Sequence, residues 1–275
     1  MALTKVLITV TTYPLPSRSY DELVCTAGVL ENGQWIRIYP VPLQFLTGLR
    51  KDGKIESFKY NWIELDLKKR TDDFRPESHS PIDYSFSKVE TLGKIGTQNN
   101  WAERKTFCTA NVYTNKAKLL ADSQDPTNIS LATFKPAKLI SFNIEADERE
   151  WKNEWKELRK QGSLFDTDKS PEIQIPKLPY KFSYTFLDDE GVSSSLMIED
   201  WEIGALYWNC LKAAEGVESK ALQKVREMYE TTFFNKKDIY LFLGTTKEWH
   251  MRRGRNPFVI IGVFYPKIEI QGSLF

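Results

Sequence analysis

From Val6 to Val89 the chain is a series of short apolar or alternating runs cut by prolines and turn residues, a pattern that favours strands over helices. Val6 to Val10 is a short apolar run. Leu23 to Leu30 and Gln34 to Tyr39 flank Glu31-Asn32-Gly33. Asn-Gly between two such runs is a strong hairpin signal, because both residues tolerate the positive φ of a tight turn. Trp62 to Lys68 and Tyr84 to Val89 alternate apolar with polar residues, which predicts half-buried antiparallel strands. Pro14, Pro16, Pro40 and Pro42 keep helices out of the segment.

The pattern then turns helical from Asn100 to Ala121, with Trp101, Phe107 and Leu119-Leu120 as inward positions, and Leu139 to Ile144 reads as a closing strand. A helix is expected from about Glu148 to Lys160, placing Trp151, Trp155 and Leu158 on one face. The polar, Pro-rich stretch Gln161 to Pro179 reads as an exposed linker. A hairpin follows, Tyr180 to Leu187 and Ser194 to Ile198, turned at Asp188-Asp189-Glu190-Gly191. Helices over Trp201–Glu215 and Val217–Phe233 lead to two final strands, Asp238 to Leu243 and Pro257 to Tyr265. The expected class is α+β: an antiparallel β-rich region over 1–147, helix and linker over 148–179, an α+β region over 180–266 and a tail over 267–275.

Composition removes several chemistries. The 275 residues carry 38 basic and 37 acidic side chains, so the chain is no polycation. Three scattered cysteines argue for a reducing compartment, and no apolar run reaches membrane-spanning length, so a cytoplasmic protein with no membrane partner is expected. With two histidines and no C-x-x-C spacing, no metal site is expected. Neither a P-loop nor a G-x-G-x-x-G occurs, and no cofactor is expected.

One pentapeptide occurs twice. Gln161-Gly162-Ser163-Leu164-Phe165 recurs letter for letter as Gln271-Gly272-Ser273-Leu274-Phe275, in surroundings that do not resemble each other. The pattern resembles the bacterial sliding-clamp-binding pentapeptide: glutamine, any residue, serine or aspartate, leucine, phenylalanine. That resemblance implies a clamp partner, with Gln161, Ser163, Leu164, Phe165, Gln271, Ser273, Leu274 and Phe275 as contacts. Leucine and phenylalanine at the end of a peptide suit a preformed apolar pocket, and glutamine fixes the register. The alternative is that both Leu-Phe pairs dock on the protein's own core.

Two further stretches point to nucleic acid. Val24-Cys25-Thr26-Ala27-Gly28, followed by Gly33-Gln34-Trp35-Ile36-Arg37, resembles the opening hairpin of the dual-OB-containing family, although Tyr39-Pro40 departs from its pattern. That resemblance implies an OB-like barrel, a fold that binds nucleic acid on a strand face. Arg18, Arg37 and Arg75 are candidates for a phosphate-binding surface. Near the C-terminus, Lys247, Trp249, His250, Arg252, Arg253 and Arg255 fall between two expected strands, against one acid, Glu248. Arginines neutralise phosphates and an indole stacks on a base; the bland alternative is a solvated loop guarding an apolar strand.

Catalysis has thinner support. Glu64, Asp66 and Lys68 share one face of the expected strand Trp62–Lys68 and resemble the Asp/Glu-x-Lys strand of Mg²⁺-dependent nucleases, without those enzymes' Pro-Asp element. A solvated polar face explains the same letters. Glu199-Asp200-Trp201-Glu202 reads as a helix cap, the alternative being a metal site shared with Asp188, Asp189 and Glu190 of the hairpin turn, and His79 reads as an exposed loop histidine, the alternative being a base beside Glu77. The reading that joins most of these features is a DNA-binding protein tethered to the sliding clamp, in replication, repair, mobile-element or phage-defence work. The alternatives are a nucleic-acid-processing enzyme, nuclease or base-modifying, and a regulator that blocks clamp pockets without touching DNA.

Overall fold

The computed structural model describes residues 3–13, 23–42, 50–51, 54–55, 59–84, 86, 88–151 and 176–269. The N-terminal part holds β1 (Thr4–Thr11), β2 (Leu23–Val29), β3 (Trp35–Pro42), the two-residue strands β4 (Arg50–Lys51) and β5 (Lys54–Ile55), β6 (Asn61–Leu65), β7 (Leu67–Lys69), β8 (Ser78–Pro81) and β9 (Glu90–Lys94). Seven of these build one sheet in the order β7-β8-β3-β2-β1-β6-β9, antiparallel throughout except where β3 runs parallel to β8. The β2–β3 hairpin turns where Asn-Gly predicts it. Gly33 takes φ +77°, its N–H donates to the Leu30 carbonyl at 2.9 Å, and Asn32 Oδ1 accepts from the Gln34 N–H at 3.0 Å.

The burial of β1 explains why its run is apolar on both faces, with the buried Thr9 its one polar member. Val6 and Ile8 pack with Ile36, Ile38, Ile63 and Leu65 on one face of the sheet. Leu7 and Val10 pack on the other face with Val29, Phe242, Ile261 and Phe264. A strand with core on both sides has no polar face to alternate.

The remainder comprises α1 (Gln98–Cys108), β10 (Val112–Tyr113), α2 (Lys116–Asp122), β11 (Leu131–Phe134), β12 (Lys138–Ala146), β13 (Tyr180–Leu187), β14 (Ser193–Met197), α3 (Trp201–Ala213), α4 (Glu218–Arg226), a π-helical turn (Glu227–Thr232), α5 (Phe233–Lys236), β15 (Tyr240–Thr245), α6 (Lys247–Met251) and β16 (Phe258–Phe264). Its strands form a four-stranded sheet, β10-β11-β15-β16, and a three-stranded one, β12-β13-β14. Between them lies the largest core, where Phe142, Phe182, Tyr184 and Phe186 meet Ile203, Tyr207, Val225, Phe233 and Ile260. The class is α+β and strand-rich, as expected. Among the described residues no helix is long and apolar enough to cross a membrane.

Several expectations are corrected. Trp62–Lys68 is two strands: the chain breaks at Asp66, with β6 pairing β1 and β9 while β7 pairs β8. The described residues of Tyr84–Val89 do not form the expected strand. Phe86 sits at φ +55°, Tyr84 and Lys88 lie in turns, and pairing starts only at Glu90. The helical stretch 100–121 is two helices with β10 between them. β12 pairs β13 from Lys138↔Leu187 to Ala146↔Tyr180, and β11 pairs β15. Most of the expected helix and linker over 148–179 lies outside the described residues, as do both copies of the pentapeptide and Arg18.

Candidate nucleic-acid interface

β15 and β16 are an antiparallel pair closing at Thr245↔Phe258, so the basic stretch is their connection, as the sequence implies. It is no bare loop. Thr246 caps the short helix α6, its side chain accepting from the Trp249 N–H at 3.3 Å. His250 turns inward and is buried: Nε2 donates to the Ser123 carbonyl at 2.7 Å, and Nδ1 lies 2.9 Å from Thr245 Oγ1. A carbonyl only accepts, so the neutral ring carries its proton on Nε2 and accepts a hydrogen bond from the Thr245 hydroxyl at Nδ1. Burial lowers the His250 pKa, Ser123 opposes that shift, and the charges of Arg75 and Arg253 reinforce it. Lys116 anchors the far end of the loop, donating to Asn256 Oδ1 at 3.0 Å; burial pushes its amine down to about 8.

Beneath α6 lies a buried charged clasp. Arg75 grips Asp73 with two parallel hydrogen bonds, Nε–Oδ1 at 2.9 Å and Nη2–Oδ2 at 2.7 Å, and donates from Nη1 to the Thr245 carbonyl at 2.7 Å. Burial alone would raise the Asp73 pKa, but the hydrogen bonds and charge of Arg75, with the Ser78 hydroxyl, hold it well below the usual carboxylate range. Arg37 donates to Ser130 Oγ at 2.7 Å, and Ser130 Oγ donates in turn to Glu77 Oε2 at 2.7 Å. Two guanidiniums and two carboxylates balance, which makes their burial tolerable. Arg37 is only 3% exposed, so its expected place on a phosphate-binding surface is corrected: it is enclosed, and so is Arg75.

The outward face of the connection is built differently. Trp249 is 55% exposed and Met251 58%. The Arg252 guanidinium lies 5.6 Å from the Trp249 ring centre and pairs with Glu248 at 2.5 Å. Arg253 pairs with Asp125 at 2.8 Å and lies 5.9 Å from the ring of Phe74, which itself meets the His250 ring edge-on at 5.0 Å. Lys247 donates to the Asp72 carbonyl, and Arg255 is exposed. The fold therefore gathers Lys247, Trp249, Arg252, Arg253 and Arg255 on one connection and adds Phe74, which the sequence reading did not select. The available signal was an aromatic set among charges in Asp72-Asp73-Phe74-Arg75, with nothing to link it to a loop far downstream.

The carboxylate candidates are dispersed. Glu64 sits on β6 opposite Lys5 and Glu90, Asp66 lies in the break, and Lys68 sits on β7 opposite Ser80, so the three do not share one strand face. Among the described residues no group of three His, Cys, Asp or Glu side chains is placed to hold a metal ion. Asp200 caps α3, accepting from the Glu202 N–H at 3.2 Å. Lys59 reaches Glu202 at 2.9 Å and Asp200 at 3.6 Å; burial opposes its charge, but the two carboxylates more than offset that and hold its pKa well above the usual value. Asp188 accepts from the Glu190 and Val192 N–H groups, closing the β13–β14 turn. His79 Nδ1 meets the Glu77 carbonyl at 2.9 Å, while the Glu77 carboxylate is taken up by Ser130.

Residues 117–275, more than half of the chain, match the family model of a domain of unknown function (DUF8757), and the chain belongs to that family. Residues 2–110 match a second domain of unknown function (DUF8758). The clasp joins the two stretches: Arg37, Asp73, Arg75 and Glu77 belong to the first, Ser130 and Thr245 to the second. No curated protein matches the chain. Among solved structures it is similar to the crystal structure of the tetrameric p202 HIN2, at 10% identity over 98% of this chain and 92% of that one, with a TM-score of 0.32. An overlay that loose carries neither fold nor ligand across.

Proposed function

We infer that this protein binds DNA while tethered to the bacterial sliding clamp, with Leu164-Phe165 and Leu274-Phe275 as the clamp contacts and the Trp249 face as the DNA contact. The observation that carries the reading is the repeat itself: five residues recur unchanged, and each copy satisfies every constrained position of the clamp pattern. Burying one Leu-Phe pair is worth roughly 3–6 kcal/mol gross, less the cost of ordering the peptide, so one copy binds weakly. Two copies on one chain gain from effective concentration if both reach pockets of the same ring. The exposed tryptophan with its arginines supports the DNA half of the reading. The test is co-elution of the protein with purified clamp in gel filtration, with and without excess free pentapeptide. Co-elution abolished by the peptide is expected. A complex that the peptide leaves intact, or no complex at all, refutes the tether.

A further inference from the structure

The face around α6 carries two exposed aromatic rings, each with its own arginine. Trp249 stands beside Arg252, and Phe74, 41% exposed, stands beside Arg253. The cations are locally offset: Arg252 by Glu248, Arg253 by Asp125, and Lys247 by Asp72 at 3.9 Å. A duplex buries its bases in the stack and presents a dense line of phosphates, so its binding is driven by many cations free to displace counterions. This face has few of those and gives its exposed area to rings. Rings and guanidinium planes favour bases that are already unstacked, whatever their identity. Exposed ion pairs hold weakly enough for a phosphate to take the arginine from its carboxylate.

We propose that the α6 face binds single-stranded nucleic acid, stacking unpaired bases on Trp249 and Phe74 while Arg252, Arg253 and Arg255 take the phosphates between them. The proposal rests on the nucleic-acid half of the reading above and adds the strand state, without depending on the clamp. His250 and the clasp below fix the platform: the His250 ring holds Phe74 edge-on, and its two hydrogen bonds hold α6 to Thr245 and Ser123.

The test is fluorescence anisotropy of the full-length protein with labelled oligothymidine of about 15 nucleotides, long enough for one such site, and with a hairpin duplex of equal length at low salt. The single strand is expected to bind roughly tenfold or more tighter than the duplex. Trp249→Leu and Phe74→Leu are each expected to weaken single-strand binding roughly tenfold, and Trp249→Tyr to restore most of it. Trp249 is exposed, so its variants are expected to keep the wild-type unfolding midpoint. Duplex bound as tightly as single strand, or Trp249→Leu at wild-type affinity, overturns the stacking proposal and leaves nucleic-acid binding standing. Neither oligonucleotide binding at low salt overturns the proposal together with the nucleic-acid reading beneath it.

Discussion

Arginines in this chain serve two unlike roles, and letters alone do not separate them. Arg37 and Arg75 are sealed in the clasp, whereas Arg252, Arg253 and Arg255 stand at the surface. Changing the last three to alanine is expected to weaken oligonucleotide binding and to lower the slope of log affinity against log salt by up to about 2, since each phosphate contact on a single strand contributes about 0.7. An unchanged salt slope would show that the loop is solvated surface only. His250 gives a pH signature. Its folded pKa is lowered, chiefly by burial, so below the unfolded value near 6.5 the unfolded chain takes up more protons than the fold. The stability held above that pH is therefore lost as pH falls through 6.5 toward the folded pKa. In denaturant titrations from pH 7.5 to 5.5 the midpoint should fall, and His250→Gln should flatten the part of that fall that comes from this ring. A depressed Asp73 adds a second loss at lower pH, beginning as pH falls through the range where free carboxylates titrate and continuing down to its folded pKa.

At the scale of elements, the turn at Gly33 is an exacting position. Its φ is +77°, and a Cβ there would stand 2.5 Å from the Ala110 Cβ, on the stretch that follows α1. Gly33→Ala is expected to cost about 1–3 kcal/mol in equilibrium unfolding, from backbone strain and the clash together. This hairpin was legible because Asn-Gly encodes its own turn. The β13–β14 hairpin, α3 with its Asp200 cap, and the last two strands were legible for the same local reasons. Tyr84–Val89 was not: it alternates like a strand, but a strand needs a partner, and β6 takes Glu90–Lys94 instead. Trp62–Lys68 hid its break for a related reason, since alternation continues through Asp66 while the pairing partners change on either side. Lys247–Met251 looked like a loop because a five-residue helix leaves no periodicity to read.

At the scale of the molecule, two buried charge clusters bind the stretches matched by the two families. Arg37 and Arg75 reach Ser130 and Thr245 on one side, and Lys59 reaches Asp200 and Glu202 on another. The seven-stranded sheet shares a core with β15 and β16 besides. The two stretches are therefore expected to unfold together, with coincident near- and far-ultraviolet circular dichroism transitions. Arg37→Leu, which strands Glu77 beside Ser130 without its counter-charge, is expected to cost about 3–5 kcal/mol. Two separate transitions would contradict that coupling. None of this was visible in the sequence, because a buried arginine and a solvated one share a letter and their partners lie far along the chain.

The tether is tested most directly by titrating the full-length protein into purified bacterial sliding clamp, beside a variant with Leu164, Phe165, Leu274 and Phe275 all changed to alanine. The wild type is expected to bind, and the variant to lose binding while keeping its unfolding midpoint. A wild type that does not bind, or a folded variant that binds as well as the wild type, would contradict the clamp reading.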